Sequence, residues 1–443
     1  MPPVGSTVAQ AASVVQRCGL EVWCGNGRNT SAMSRRGQIS IDRIVALRSS
    51  VLPIYVIIRP EGVTTADEVS EDGNDFLTTR MFGDQIAFQS IGGDYLSTEG
   101  GEICMRRYCS SSERFTVEKQ DTQYAFRSCS GQYLSVSDRA PFVTLAPAPG
   151  DTEAFQLFSL MMYGVNVGQQ LEMLDRHGSI MVDHLLDSEQ IEALRIAIPG
   201  GADDAPRSYE LRTPDLASRS LGLAEVATHP LVMQLSRRLL SPQLQLAELE
   251  SCRTDVDFVR KELEETTWHV VHPYCCAEFP GVVDPRINIT VTWFLDQLDT
   301  ENSTWASVKA PEVAGRLPQL PHHSSPEEMQ AISKSAQPLL AKAGAAWICI
   351  GPHWMSNTMG AASFWKDYDA QTRYKHLSGQ KEQSFRALTD AQRAAQPKEE
   401  LCPTVLQATY VREYVAPLHR APAMEVLEQL GHSGRQLAGL LRG

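Results

Sequence analysis

The chain contains no uncharged apolar run approaching the ~18 residues that a bilayer-spanning helix requires, so no transmembrane segment is expected. Basic residues are in deficit, with 40 Lys and Arg against 53 Asp and Glu and a formal charge of -13. That sign repels a phosphate backbone and argues against nucleic acid as a partner. The ten cysteines form no Cys-x-x-Cys pair and no zinc spacing. They read as reduced thiols of an intracellular, reducing compartment, cytoplasmic or organellar, with the adjacent Cys275 and Cys276 packing rather than redox machinery. What is present is ordinary for a soluble globular protein: 42% hydrophobic and 21% charged residues over 443 positions, enough for two or three domains with a sizeable core.

Residues 1–44 read as an N-terminal arm. Its first 40 residues hold Arg17, Arg28, Arg35 and Arg36 with Glu21 as the only acid, a weak presequence-like composition. An arm without a core of its own needs a neighbouring surface to hold it.

An internal echo follows. Val45-Ala46-Leu47-Arg48-Ser49, Ile86-Ala87-Phe88-Gln89-Ser90 and Tyr124-Ala125-Phe126-Arg127-Ser128 recur about 40 residues apart. Each is followed by an aromatic-aliphatic pair (Tyr55-Val56, Tyr95-Leu96, Tyr133-Leu134) and then by Phe76, Phe115 and Phe155. Turn residues such as Gly92-Gly93 and Ser130-Gly131 cut the stretch into short strands. Three copies of a four-strand unit predict a barrel capped by hairpins over 45–160, and the pattern resembles the fascin-like β-trefoil. That resemblance implies sugar or actin binding as one role and docking or packing as the other. No Gln-x-Trp repeat of ricin-type lectins is present, and a single trefoil lacks the several copies with which fascins cross-link filaments, so docking is the expectation.

Beyond Leu160 the pattern turns mixed. Asp187-Ser188-Glu189-Gln190 is a capping box, and Ile191, Leu194 and Ile198 give a helical face closed by Pro199-Gly200-Gly201. A second helix is predicted over 215–240, with Thr213-Pro214 as its start and Leu231, Leu235 and Leu239 on one side. Strands follow at 244–249 and 287–293, where strict alternation predicts a half-buried strand. Helices first and antiparallel-type strands afterwards predict a double-stranded β-helix, a jelly-roll or cupin-like barrel, over 168–420. Segments 311–338 and 364–402 read as insertions, the first carrying a capping box at Ser325 to Glu328, and 421–443 as a C-terminal helical tail. The fold class expected is therefore mainly β with flanking helices.

The most informative stretch is Trp268-His269-Val270-Val271-His272-Pro273-Tyr274. It resembles the first ligand turn of the phytanoyl-CoA dioxygenase family, Fe(II)/2-oxoglutarate oxygenases whose Trp-His-x-Asp-x-Pro-Tyr run supplies a histidine and a carboxylate to iron. Here Val271 stands at the carboxylate position. Further on, 302–305, 343–350 and 409–412 resemble the family's later turn, its strand approaching the distal histidine and its closing strand. The Pro-Gly-Ser-His segment that follows that turn is replaced by Val308-Lys309-Ala310-Pro311. The distal ligand falls on His353-Trp354-Met355: either Met355 occupies the position or His353 has slipped towards it. The arginine that pairs with 2-oxoglutarate falls at Pro403, and neither Pro403 nor Thr404 offers its bidentate fork.

The resemblance therefore implies a pseudoenzyme with relic metal positions His269, Val271, His353 and Met355 and relic co-substrate positions Pro403 and Thr404. No catalytic residue, metal or cofactor is expected. It would serve as a scaffold or accessory subunit whose arm and insertions contact other protein subunits. The alternatives are an active Fe(II)/2-oxoglutarate hydroxylase using His269 and His353, with His272 disfavoured because residues three apart on a strand face opposite ways. A halide-coordinating variant, obstructed by the bulk of Val271, a trefoil-mediated carbohydrate or actin binder, and a lipid or acyl-CoA holder with Trp293, Trp305 and Trp347 around its cavity complete the set.

Overall fold

The computed structural model describes residues 41–59, 61–198, 210–213, 216–217, 220–254, 256, 259, 288–299, 302–308, 335–350, 355–356 and 403–412. The first copy of the echo supplies β1 (Ile44–Ser49), β2 (Tyr55–Arg59), β3 (Gly62–Ala66) and β4 (Leu77–Phe82). The second supplies β5 (Gln85–Gln89), β6 (Tyr95–Ser97), β7 (Cys104–Arg106) and β8 (Phe115–Gln120). The third supplies β9 (Gln123–Arg127), β10 (Tyr133–Val136), β11 (Val143–Ala146) and β12 (Phe155–Ser159). Pairing runs β1 to β4, β5, β8, β9, β12 and back to β1, a closed six-stranded barrel. The hairpins β2–β3, β6–β7 and β10–β11 complete a β-trefoil-like arrangement.

The echo is explained by what each letter does. Leu47, Phe88 and Phe126 meet in the barrel interior, where Phe88 and Phe126 lie 5.0 Å apart edge to face and Phe126 and Phe155 5.8 Å apart. The closing serines hold the turns: Ser49 Oγ accepts from Leu52 N, Ser90 Oγ from Asp94 N, and Ser128 Oγ donates to Gln132 O. Gly93 and Gly131 follow at φ 89 and φ 85, a conformation that favours glycine. One assignment is corrected. Phe115 pairs with Ile86 and Phe155 with Tyr124, but the residue opposite Val45 is Leu77, not Phe76. Phe76 is one residue out of phase, so it faces away from the barrel and joins the hydrophobic cluster of the following half.

That half begins with the hairpin β13 (Met161–Met162) and β14 (Val165–Asn166), then helix α1 (Val167–His177), whose N-terminus is capped by Asn166. Strand β15 (Ser179–Val182) and helix α2 (Ser188–Ala197) follow, and the predicted capping box is formed in both directions by Asp187 and Gln190. After a strand, β16 (Glu210–Thr213), the span expected as a single helix over 215–240 holds two, α3 (Leu221–Ala227) and α4 (Pro230–Leu239). The break has a cause: Thr228 turns its hydroxyl onto Ala224 O at 2.8 Å, and Pro230 has no N–H to continue the ladder. Leu231, Leu235 and Leu239 do line the buried side of α4.

Strands β17 (Leu244–Thr254), β18 (Asn288–Phe294), β21 (Ala346–Ile350) and β23 (Thr404–Arg412) complete an antiparallel sheet of order β15-β21-β18-β23-β17-β16. A smaller sheet has β19 (Ala306–Ser307) between β20 (Gln337–Pro338) and β22 (Met355–Ser356). The strand predicted as half-buried is buried throughout: every residue of β18 is covered. Alternation there separates two interiors, not core from water.

The two halves meet in one packed junction. Ile44, Ala46, Phe76 and Leu160 join Leu171, Leu231 and Leu235 in a single cluster. The Arg238 guanidinium donates to Thr78 Oγ1 at 2.6 Å, Phe76 O at 2.9 Å and Gln234 Oε1 at 3.0 Å, and Gln234 donates to Asp72 O at 2.7 Å. Desolvation at this junction pulls the Arg238 pKa down to about 9. Arg43 also pairs with Asp175 of α1.

Candidate functional site

The large sheet has two unlike faces. One turns Ile289, Val291, Trp293, Leu406, Ala408, Tyr410, Leu246 and Leu249 onto the helices, where Tyr410 donates to Ala227 O at 2.8 Å and burial raises its pKa. The other is the inner face, shared with the small sheet. At one end of it Cys252, Phe294, Trp347, Cys349 and Val405 pack against Trp305, Leu339 and Ala341, an apolar floor.

The rest of the inner face is polar. Register places Thr290 opposite Thr409 and Thr292 opposite Gln407, and their side chains meet at 3.5 Å and 3.3 Å. On the next strand Glu248 stands opposite Thr409 and Glu250 opposite Gln407. Asn288, at the start of β18, is 1% exposed, and among the described residues neither its amide nitrogen nor its amide oxygen has a hydrogen-bond partner. A β-bulge between Leu246 and Glu248 is what brings both glutamates onto this face, since one extra residue flips the alternation that follows. On the three central strands the charged residues of this face are Glu248 and Glu250 alone. Burial also raises the Cys349 thiol pKa well above its usual value.

The positions singled out from sequence are placed unevenly. His269, Val271, His272 and His353 lie outside the described residues. Met355 lies in β22, opposite Ser307 of the small sheet. Pro403 is buried at the entry to β23, and Thr404 begins that strand on the large sheet. The structure therefore puts Met355 and Thr404 on different sheets. Thr404 N donates to Asp296 Oδ2 at 2.7 Å, while Asp296 Oδ1 and Leu295 O accept from Arg195 at 2.6 Å and 2.7 Å. The predicted co-substrate corner is thus a carboxylate-centred latch between α2 and β23. Among the described residues no three His, Cys, Asp or Glu side chains converge as a metal site.

Sequence reasoning missed Asn288, Thr290, Thr292, Gln407 and Thr409. Their signal was legible as the alternate letters of Asn288-Ile289-Thr290-Val291-Thr292 and of Val405-Leu406-Gln407-Ala408-Thr409. Alternation predicts a half-buried strand over 287–293, whereas the polar face of β18 is covered as well.

Residues 57–157 match the Fascin domain family. No curated protein matches the chain. Among solved structures, HygX from Streptomyces hygroscopicus with nickel and 2-oxoglutarate bound is 12% identical, covers 60% of this chain and 92% of its own, with a TM-score of 0.37. The same protein with hygromycin B also bound covers 58% of this chain and 90% of its own at 12% identity and a TM-score of 0.35. SeviL bound to asialo-GM1 saccharide is 10% identical over 27% of this chain and 98% of its own, with a TM-score of 0.24. The chain is thus similar to a Fascin domain over 57–157.

Proposed function

We propose that the half following the trefoil is a double-stranded β-helix of the Fe(II)/2-oxoglutarate oxygenase class that no longer performs that reaction, and that the protein works as a scaffold or accessory subunit. In this reading 1–44 is an arm, 45–160 the trefoil, 168–420 the barrel with insertions at 311–338 and 364–402, and 421–443 a tail. The observation that carries it is the head of β23. A dianionic co-substrate needs a cation at the head of β23, and this chain has Pro403 and Thr404 there, with Thr404 N already donated to Asp296. Neither Pro403 nor Thr404 can pair with a carboxylate as an arginine fork does, so these residues do not fit 2-oxoglutarate.

A rigid junction suits a scaffold: Arg238 and Gln234 fix the trefoil against the helices with a set of directional bonds, so surfaces on the two halves keep a constant relation. Partner subunits would be engaged by the arm and the two insertions, of which only 41–44 and 335–338 are among the described residues. The compartment proposed is reducing, in keeping with the absence of a disulfide at Cys104, Cys109, Cys129, Cys252 and Cys349 among the described residues. Among the described residues no helix is long and apolar enough to cross a membrane.

Metal analysis of the purified full chain together with calorimetric titration of 2-oxoglutarate in the presence of Fe(II) tests this reading. The expected result is substoichiometric iron and no saturable heat. Stoichiometric iron with a co-substrate affinity of about 1 µM would overturn it.

A further inference from the structure

We propose that the polar inner face of the large sheet is a binding site for a small uncharged molecule that presents a donor and an acceptor side by side, a carboxamide-type edge, with Asn288 as its anchor. The location rests on the reading of this sheet as a retired oxygenase barrel, but the chemistry comes from the residues themselves. Asn288 is 1% exposed and begins a central strand of the sheet, yet both ends of its amide lack a partner among the described residues. Buried amides are almost always satisfied, so an orphaned pair in the middle of a sheet is a destabilising choice that packing alone does not favour. A β-branched residue would fit a central strand better.

The neighbours extend the same chemistry. Thr290 and Thr292, on the face of Asn288, meet Thr409 and Gln407 through long hydroxyl contacts of 3.5 Å and 3.3 Å, which leave directions for further hydrogen bonds. Beyond them lies the apolar floor of Phe294, Trp305, Trp347 and Val405. A guest with a flat polar edge and an apolar body matches that sequence of surfaces. A primary carboxamide answers Asn288 with two antiparallel hydrogen bonds, N–H to oxygen in each direction, without bringing charge. A carboxylate in its place only accepts, so it would answer the Asn288 nitrogen and set a second oxygen against the Asn288 oxygen.

The test is a matched pair of probes on the full chain. Glutaramide and glutarate have the same length and differ in replacing two carboxylates by two carboxamides. Glutaramide at about millimolar concentration is expected to raise the melting temperature and to give a saturable titration, while glutarate at the same concentration does neither. Asn288→Val is expected to raise the melting temperature of the ligand-free protein by about 2–4 °C and to weaken glutaramide binding at least tenfold. A lower melting temperature for Asn288→Val would show Asn288 to be structural and overturn the proposal. So would binding of glutarate as tight as glutaramide, or no glutaramide binding. Because the iron and 2-oxoglutarate titration reads a different ligand set, its outcome and this one can fail separately.

Discussion

The interior of the trefoil and the inner face of the large sheet are both covered from water, but they are filled by opposite means. The barrel of the trefoil is closed by Phe88, Phe115, Phe126 and Phe155 with Leu47, Ile86 and Leu134, every one of them 0% exposed and none with a polar side-chain atom to satisfy. Such an interior is complete in itself, and each ring contributes roughly 1.5–3 kcal/mol by leaving water. The inner face of the sheet carries Asn288, Thr290, Thr292 and Thr409 at 0–2% exposure, a set that burial alone disfavours. The contrast teaches that the first region is filled as packing favours, whereas the second keeps polar side chains where packing alone would place apolar ones.

The comparison can be broken or sharpened by measurement. The largest effect should come from the trefoil: Phe126→Ala removes a ring that touches both Phe88 and Phe155 and should cost about 3–5 kcal/mol in urea unfolding. A loss under about 1 kcal/mol would mean the barrel is not the filled core described.

The second concerns acid. His229, at the break between α3 and α4, lies against Tyr163 with ring centroids 4.5 Å apart, and burial lowers its pKa to about 4. As pH falls below about 6.5 the unfolded chain takes up a proton that the folded imidazole refuses until about pH 4. Stability is therefore whole above about pH 6.5, is lost progressively towards pH 4, and changes no further below it through this group, a loss on the order of 3 kcal/mol. His229→Leu should flatten that part of the stability profile; an unchanged slope would assign the acid sensitivity elsewhere.

Third, Arg238→Met leaves Phe76 O and Thr78 without their donor and should cost about 2–3 kcal/mol, splitting one unfolding transition into two as the halves uncouple. A single unshifted transition in calorimetry would show the junction to be incidental. The smallest effect is expected on the inner face itself. Thr409→Val removes a 3.5 Å hydroxyl contact and should change stability by less than about 1 kcal/mol, because so long a contact contributes little to the fold. A larger loss would make the polar face structural after all and erase the contrast.

The trefoil was largely legible because its letters repeat. Three copies of an apolar-Ala-apolar-polar-Ser string announce three equivalent strands, and a reader needs only one hairpin rule to place the rest. Even there Phe76 was misread, because the echo gives spacing to within a residue while pairing register decides the face, and one residue sends a ring into a different core. In the second half the capping box at Asp187 was readable, being a local bond between residues three apart. The helix break at Thr228 and Pro230 was overlooked although its letters were plain. The inner-face residues were legible only as alternate polar letters, not as partners, since Thr290 and Thr409 are 119 positions apart.

What the sequence determined by itself is whatever depends on neighbours along the chain: the strand repeats, the turns held by Ser49, Ser90 and Ser128, the cap of α2 and the acidic balance of the whole. What only the tertiary structure decided is which covered face each strand turns where. An alternating strand such as Asn288–Phe294 is compatible with water on one side or with a second interior, and long-range pairing with β21 and β23 selects the latter. Chain-local propensities carry no information about what lies across a sheet, because that cost or gain exists only once the opposing surface has arrived.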